Sequence, residues 1–242
     1  MDGQRRMIKC DGNPLFFDIK GINKKGENVQ LPDSVILSIV NYNNQKTFKT
    51  ILDGEIIGDK QYLFDILSLN GRELTNVSCV ERMQLLSTLK FGVNVEVVKT
   101  AFTREEKQKL YHDLRARNAE GIVFKLKSSL YTAGRPNSGG SQLKNKFQKE
   151  ASFIVKDLTK GKRSVGLELI NENGERVHMG KCTIPPNKEV PAIGAVVEVR
   201  YLYAYRGGKI FQPCYKEERN DVFTEECLMS QIIYKAQQEE ED

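Results

Sequence analysis

The spacing of apolar positions along the chain changes repeatedly, and each change marks an element. Met7 and Ile8 lead into Cys10-Asp11-Gly12-Asn13, and Leu15-Phe16-Phe17 with Ile19 follow. That pattern predicts two strands around a turn, with Asp-Gly as the reversal. Over residues 31–45, Val35, Ile36, Ile39 and Val40 share one helical face behind Asp33 or Ser34, either of which can cap. Residues 50–67 read as a strand pair turning at Gly58-Asp59. Residues 79–91 read as a helix with Val80, Met83, Leu85, Leu86 and Leu89 apolar, and residues 91–98 as a strand. Residues 104–120 have the charge and period of an amphipathic helix with Leu110 and Leu114 inside. A short strand at 121–127, a Gly/Ser/Pro loop at 131–142 and a strand from 143 complete this part.

The character of the chain changes near residue 151. Five short strand candidates follow: ASFIVKDL, SVGLELI, ERVHMGKCTI, AVVEVRYLYAY and IFQPCYK. Asn173-Gly174 between the second and third is the strongest hairpin signal. Five short strands in such a span suggest a small barrel, of the OB or SH3-like kind. Thr224–Gln238 reads as a short helix or strand before an acidic tail, and no internal repeat is present. The expected fold class is α+β, with a mixed domain over 1–150, an all-β barrel over 151–236 and a tail at 237–242.

Composition narrows the function class only a little. With 242 residues, 39% hydrophobic and 29% charged, whole-chain disorder, collagen and coiled coil are excluded. The net charge of +5 is unevenly placed. Residues 1–150 hold 24 Lys+Arg against 17 Asp+Glu, and residues 151–242 hold 13 against 15. A basic first part suits a polyanion such as ATP or nucleic acid, although such a surface is also common without one. The five cysteines lack zinc-knuckle spacing and their number is odd, which fits a reduced compartment. Two histidines leave little room for a His-based metal site or triad. No run is long and apolar enough for a membrane span and no signal peptide is evident, so a cytoplasmic, non-membrane protein is expected.

Four segments place chemistry-bearing residues where a plain strand would do. Asp53-Gly54-Glu55 sets a carboxylate just past a buried strand, after a glycine, where it would project into a cleft, and a hairpin turn with solvated acids would look the same. Glu120 and Lys125 bracket an apolar strand, an odd number apart, so they need not share a face. Lys144 and Lys146, at i and i+2, share one strand face and would offer two cations to phosphates, as would an ordinary exposed edge strand. Lys216-Glu217-Glu218-Arg219-Asn220-Asp221 is a charge run near the C-terminus. No Walker loop, Rossmann fingerprint or metalloprotease helix occurs.

Taken in order, LDGEIIGDKQYLFDIL, EGIVFK and LKNKF resemble the nucleotidyltransferase core of ATP-dependent DNA ligases. The resemblance extends through GINKKG, SLYTAGRPNSGGSQLKNKFQKEASFIV and TIPPN…VVEVRYLYAYR…FQPCYKEERND to almost the whole chain, in the manner of the compact bacterial or phage type. It implies three steps: a lysine takes AMP from ATP, AMP passes to the 5′-phosphate of a nick, and the 3′-hydroxyl expels it. These are phosphoryl transfers that depend on positioning and cations.

The resemblance also implies roles. Glu55 would hold the ribose, Phe64 would stack on adenine, and Glu120 would bind catalytic Mg²⁺, with Glu55 a second metal candidate. Lys144 and Lys146 would contact the α-phosphate and nick phosphate. Arg219 and Asp221 would orient pyrophosphate, and Val222 stands where the family commonly has a lysine. The first motif, Lys-x-Asp-Gly-x-Arg, has two placements. Lys9-Cys10-Asp11-Gly12 puts Pro14 where arginine belongs. Asp2-Gly3-Gln4-Arg5 has the arginine, but its lysine would stand just before Met1. The second is favoured, because Pro14 lacks the N–H a strand needs and little chain precedes Lys9 to wall a nucleotide pocket. On that placement the N-terminal part of the domain is expected to be missing. Arg5 would then bind a nick phosphate, with Lys24 in a similar role. The implied partners are ATP, Mg²⁺ and nicked duplex DNA, acting on a monomer in replication, repair or recombination. An RNA ligase, a capping-type guanylyltransferase and a non-catalytic nick-binding protein remain alternatives.

Overall fold

The computed structural model describes residues 3–13, 16–40, 49–134 and 140–235. Met1, Asp2, Pro14, the tip of the Gly/Ser/Pro loop and the acidic tail lie outside them. Contacts gather the described residues into two compact units. The first takes Met1–Thr103 and Val123–Leu143, the second Arg104–Ile122 and Lys144–Asp242.

The first unit is a seven-stranded sheet with two helices. Its strands are β1 (Gln4–Asn13), β2 (Phe16–Ile22), β3 (Asn28–Val29), β4 (Thr50–Ile57), β5 (Lys60–Leu69), β6 (Arg72–Glu73) and β7 (Val95–Val97). The order is β3-β2-β1-β4-β5-β6, with β7 added parallel to β5. Helices α1 (Asp33–Val40) and α2 (Cys79–Thr88) lie between strands in sequence. Val35 and Ile39, one helical turn apart, join Met83 and Leu86 of α2 in a core with Ile8, Leu52, Leu63 and Ile66 of the sheet. Each such side chain contributes about 1.5–3 kcal/mol by leaving water. A capping box starts α2: the Ser78 hydroxyl accepts from the Glu81 N–H, and the Glu81 carboxylate accepts from the Ser78 N–H.

One expectation and one alternative fall in this unit. Asp11-Gly12 is not a turn, because the β1–β2 ladder runs on to Asn13↔Phe16. Asp53-Gly54-Glu55 is not a turn either but the middle of β4, paired on both sides. The reversal between β4 and β5 falls at Gly58-Asp59, as its residues predict.

Helix α3 (Arg104–Ala116) and strands β8 (Gly121–Lys125) and β9 (Gln142–Lys146) follow in sequence. The two strands form a sheet of their own. No residue of α3 is buried; Leu110 and Leu114 are half-exposed rather than inside.

The second unit carries the five strands expected past residue 151: β10 (Lys149–Leu158), β11 (Ser164–Ile170), β12 (Arg176–Thr183), β13 (Val196–Tyr201) and, after the small hairpin of β14 (Tyr203–Ala204) and β15 (Ile210–Phe211), β16 (Cys214–Glu218). All neighbours are antiparallel, in the order β12-β11-β10-β13-β16. The chain thus meanders through three strands, and the fourth returns beside the first. This is an OB-like sheet, but not a closed barrel: β12 and β16 end the path and share no ladder among the described residues. Bulges after Val155 and Leu167 curl it around Phe153, Leu167, Met179, Val197 and Tyr201. The terminal segment forms two short 3₁₀ turns, Thr224–Glu226 and Met229–Gln231, instead of one helix.

Candidate active site

In the first unit the candidate residues converge on β4. Register places Arg5 opposite Glu55 and Met7 opposite Asp53. The Arg5 guanidinium forks onto Asp53, donating from Nε at 3.1 Å and Nη2 at 2.6 Å, and also to the Tyr131 hydroxyl at 3.1 Å. Asp53 is 1% exposed, so this arginine is its compensation. The hydrogen bond to Asp53 raises the Arg5 pKa further above its ordinary value. Glycines stand at two close approaches nearby, one to a side chain and one to backbone. A Cβ on Gly3 would lie 2.9 Å from the Glu55 side chain, and one on Gly54 would lie 2.3 Å from the Tyr62 carbonyl. Glu55 itself is exposed.

Lys9 lies on the same strand, opposite Ile51, with its ammonium 2.6 Å from Asp11 on the strand's own surface. Lys24 is exposed in the β2–β3 turn, which Asn23 shapes by accepting from the Lys25 and Glu27 N–H groups.

Phe64 on β5 is half-buried, with the Lys125 ammonium 5.2 Å from its ring centroid. Lys125 also donates to the Phe64 carbonyl at 2.8 Å and lies 3.7 Å from Asp65. Phe64 lines an apolar cavity of about 250 Å³ with Met83, Leu86, Val97, Val98 and Phe102. Beneath it Asp65 and Arg82, each about 2% exposed, form a two-pronged pair at 2.8 and 3.1 Å. The Arg82 guanidinium sits 5.9 Å from the Tyr131 ring centroid. Asp53, Arg5, Tyr131, Arg82, Asp65 and Lys125 therefore form one continuous polar chain. Sequence reasoning singled out neither Asp65, Arg82 nor Tyr131. Their partners stand 17 and more positions away, so no local spacing announces them.

In the second unit Glu120 and Lys146 meet at 3.0 Å, and Lys146 also donates to Gln212 at 2.9 Å. Gly121 permits this: a Cβ there would lie 2.2 Å from the Asn145 carbonyl. The Phe147 N–H donates to the Glu120 carbonyl at 2.9 Å and fixes the same approach. Lys144 shares β9 with Lys146 and is exposed. Beyond β16, Arg219 donates two bonds to Asp221, at 2.7 and 2.8 Å, and one to Glu198 at 2.5 Å. The Arg219 bonds hold the Asp221 carboxyl down at about 2. Among the described residues no three acidic, His or Cys side chains cluster in a metal-holding arrangement. None of the described helices is long and apolar enough to cross a membrane.

Comparison with known proteins adds the following. Residues 59–146 match the family model for the ATP dependent DNA ligase domain. A solved structure from work on Lig E DNA ligases superposes with a TM-score of 0.61 at 17% identity, over 90% of each chain. This chain has the DNA ligase fold. A second ligase-fold structure, Pmar-Lig_Pre, gives a TM-score of 0.66 at 16% identity over 91% of this chain and 62% of that one. A probable DNA ligase of Dictyoglomus turgidum (strain DSM 6724 / Z-1310) is 32% identical over 90 residues. That match covers 36% of this chain and only 16% of the relative's length. The ligase family model begins at Asp59 and ends at Lys146, so it spans Phe64, Glu120, Lys144 and Lys146.

Proposed function

We propose that this protein is an ATP-dependent DNA ligase that joins 5′-phosphate and 3′-hydroxyl ends at a nick in duplex DNA, through lysyl-adenylate and DNA-adenylate intermediates. The observation that carries the reading is the β1–β4 register, which sets Arg5 opposite Glu55, with the Arg5 guanidinium clamped to Asp53. This supports Asp2-Gly3-Gln4-Arg5 as the first motif, because it brings Arg5 beside Glu55 on the neighbouring strand. On that placement the nucleophilic lysine stands immediately before Met1. Lys9, four positions along the strand and paired with Asp11, is the less favoured candidate.

The remaining roles follow from chemistry. Arg5 and Lys24 offer cations to phosphate oxygens. Glu55, exposed and a pure acceptor when ionised, suits ribose hydroxyls. Phe64 offers an aromatic face to adenine. Lys144 and Lys146 supply positive charge to the transferring phosphate. Arg219, braced by Asp221 and Glu198, is preorganised to orient pyrophosphate. Mg²⁺ typically takes one or two carboxylates plus substrate phosphates, and Glu120, with Glu55 as second candidate, matches that need without a three-carboxylate cluster. The metal would neutralise charge on the phosphates. In the sealing step the 3′-oxygen bonds to the 5′-phosphorus, the bond to AMP breaks, and the hydroxyl proton leaves. The division into an adenylation domain over 1–150 and an OB-type domain over 151–236, action as a monomer, and residence in the cytoplasm belong to the same proposal.

The test separates the two halves of the reaction. Given pre-adenylated nicked duplex, the chain as written should seal it and release AMP. Given ATP labelled on the α-phosphate, it should not become labelled, whereas a chain extended by its natural upstream codons should. Labelling that is lost in Lys9→Ala would overturn the first-motif placement. Binding of the nick without any AMP chemistry, in either chain, would overturn ligation itself and leave a nick-binding protein.

A further inference from the structure

Gln212, between β15 and β16, has a φ of +53°. In that region the Cβ of an L-residue crowds the following carbonyl oxygen. Asn70 and Asn118, at +51° and +52°, belong to a residue type that tolerates it. Glutamine does not, and Gln212 also stands before Pro213, whose ring narrows the backbone of its predecessor further. The fold imposes the conformation from both sides. The Leu202 N–H donates to the Phe211 carbonyl at 3.0 Å, and Cys214 pairs with Arg200 on β13. Glycine would meet both constraints with less strain. What the glutamine side chain adds is one bond: Oε1 accepts from the Lys146 ammonium at 2.9 Å, across 66 positions of sequence.

Glu120 accepts a second N–H of that ammonium at 3.0 Å, and no third acceptor meets it among the described residues. All three residues belong to the second unit. The two acceptors differ in kind. Glu120 offsets the charge of Lys146 as it holds it, whereas a neutral amide holds the ammonium and leaves its charge in place. Two bonds from a tetrahedral group fix the direction of its third N–H. Lys146 also borders a cavity of about 400 Å³ whose charged lining is Arg115, Lys146, Arg200 and Glu150, so cations outnumber anions there. We infer that Gln212 is a positioning residue for phosphoryl transfer: from a strained backbone, its amide oxygen aims the Lys146 ammonium at the transferring phosphate. The inference rests on the ligase reading, in which Lys146 contacts that phosphate. Gln212 itself touches no reacting atom, so its loss is felt in the rate of the chemical step and not in the holding of DNA.

Single-turnover sealing of a pre-adenylated nicked duplex, at saturating protein, reads the chemical step. A fluorescent duplex with the same nick reads affinity, and thermal melting reads stability. Gln212→Gly relieves the backbone and removes the amide. It should melt no lower than the wild type, bind the duplex equally and seal about 10-fold more slowly. Gln212→Met keeps the length and the backbone strain and removes only the acceptor, and it should be slowed as much. A merely structural role would instead move rate and stability together. Sealing at the wild-type rate by either variant would overturn the inference while leaving ligation standing. So would a slow Gln212→Gly that also melts lower or binds the duplex more weakly. A wild type that does not seal the pre-adenylated nick would overturn the ligase reading itself.

Discussion

Arg82 carries more than its own pair. It is 2% exposed, its guanidinium forks onto Asp65, and Nη1 donates to the Val77 carbonyl at 2.6 Å. Replacing it with alanine leaves a buried carboxylate with Lys125 at 3.7 Å as its remaining cation. Breaking one side of such a pair costs about 3–5 kcal/mol. Arg82→Ala should show that loss in urea unfolding, and Arg82→Met/Asp65→Leu, which removes both charges, should recover a large part. A loss under about 1 kcal/mol would mean that water reaches Asp65. Residues of this kind were the least legible in the sequence. Glu55, Glu120, Lys144 and Lys146 stand in short motifs whose spacing is itself the signal. Asp65, Arg82 and Tyr131 find each other only after the sheet, α2 and the segment past β8 have formed. The polar chain behind the candidate site was invisible for that reason, although its exposed end was not.

Elements were legible where period and burial agree. Past residue 151 the first three strand candidates formed where expected, with unbroken runs of buried residues in β10 and β11, while the fourth and fifth candidates are each divided in two, between β13 and β14 and between β15 and β16. Local turn propensity misled where a ladder overrode it. Asp11-Gly12 looks like a reversal, and a turn at Asp53-Gly54 was an alternative, yet β1 pairs continuously with β2 on one side and β4 on the other. Glycine at 54 serves close approach, not a turn. Its missing Cβ is where the Tyr62 carbonyl and the Gln61 amide lie, 2.3 and 2.5 Å from the ideal position. Backbone cannot yield as a side chain does, so Gly54→Ala should cost at least the ~1–3 kcal/mol of ordinary overpacking. Thermal melting would measure it, and the ladder between Glu55 and Tyr62 should lose amide protection first. An alanine variant as stable as wild type would show that β4 and β5 can part locally.

At the scale of the molecule, the cysteines report how the cores open. Cys10, Cys182 and Cys227 are buried, and burial pushes their thiols up to about 12, 11 and 11. Cys79 is buried and shifted in the same direction, whereas Cys214 is exposed. The thiolate is the reactive form, so a raised thiol is protected twice, by access and by protonation. Under native conditions near neutral pH, a thiol reagent should modify Cys214 quickly and the other four only at the rate of unfolding. Quick modification of Cys10 would indicate local opening of β1, the strand that carries Arg5.

The two units are interleaved in sequence, which bears on how the chain is made. Residues 104–122 belong by contact with 144–242, while 123–143 belong with the first hundred residues. Synthesis proceeds from the N-terminus, so α3 emerges well before Phe147, whose ring meets Tyr111 at 5.2 Å and lies under Arg115. Tyr131, which closes the gap between Arg5 and Arg82, arrives after the whole seven-stranded sheet has been translated. Neither unit is complete on the ribosome when its first segment ends, and a single cut that keeps one unit whole carries a segment of the other with it.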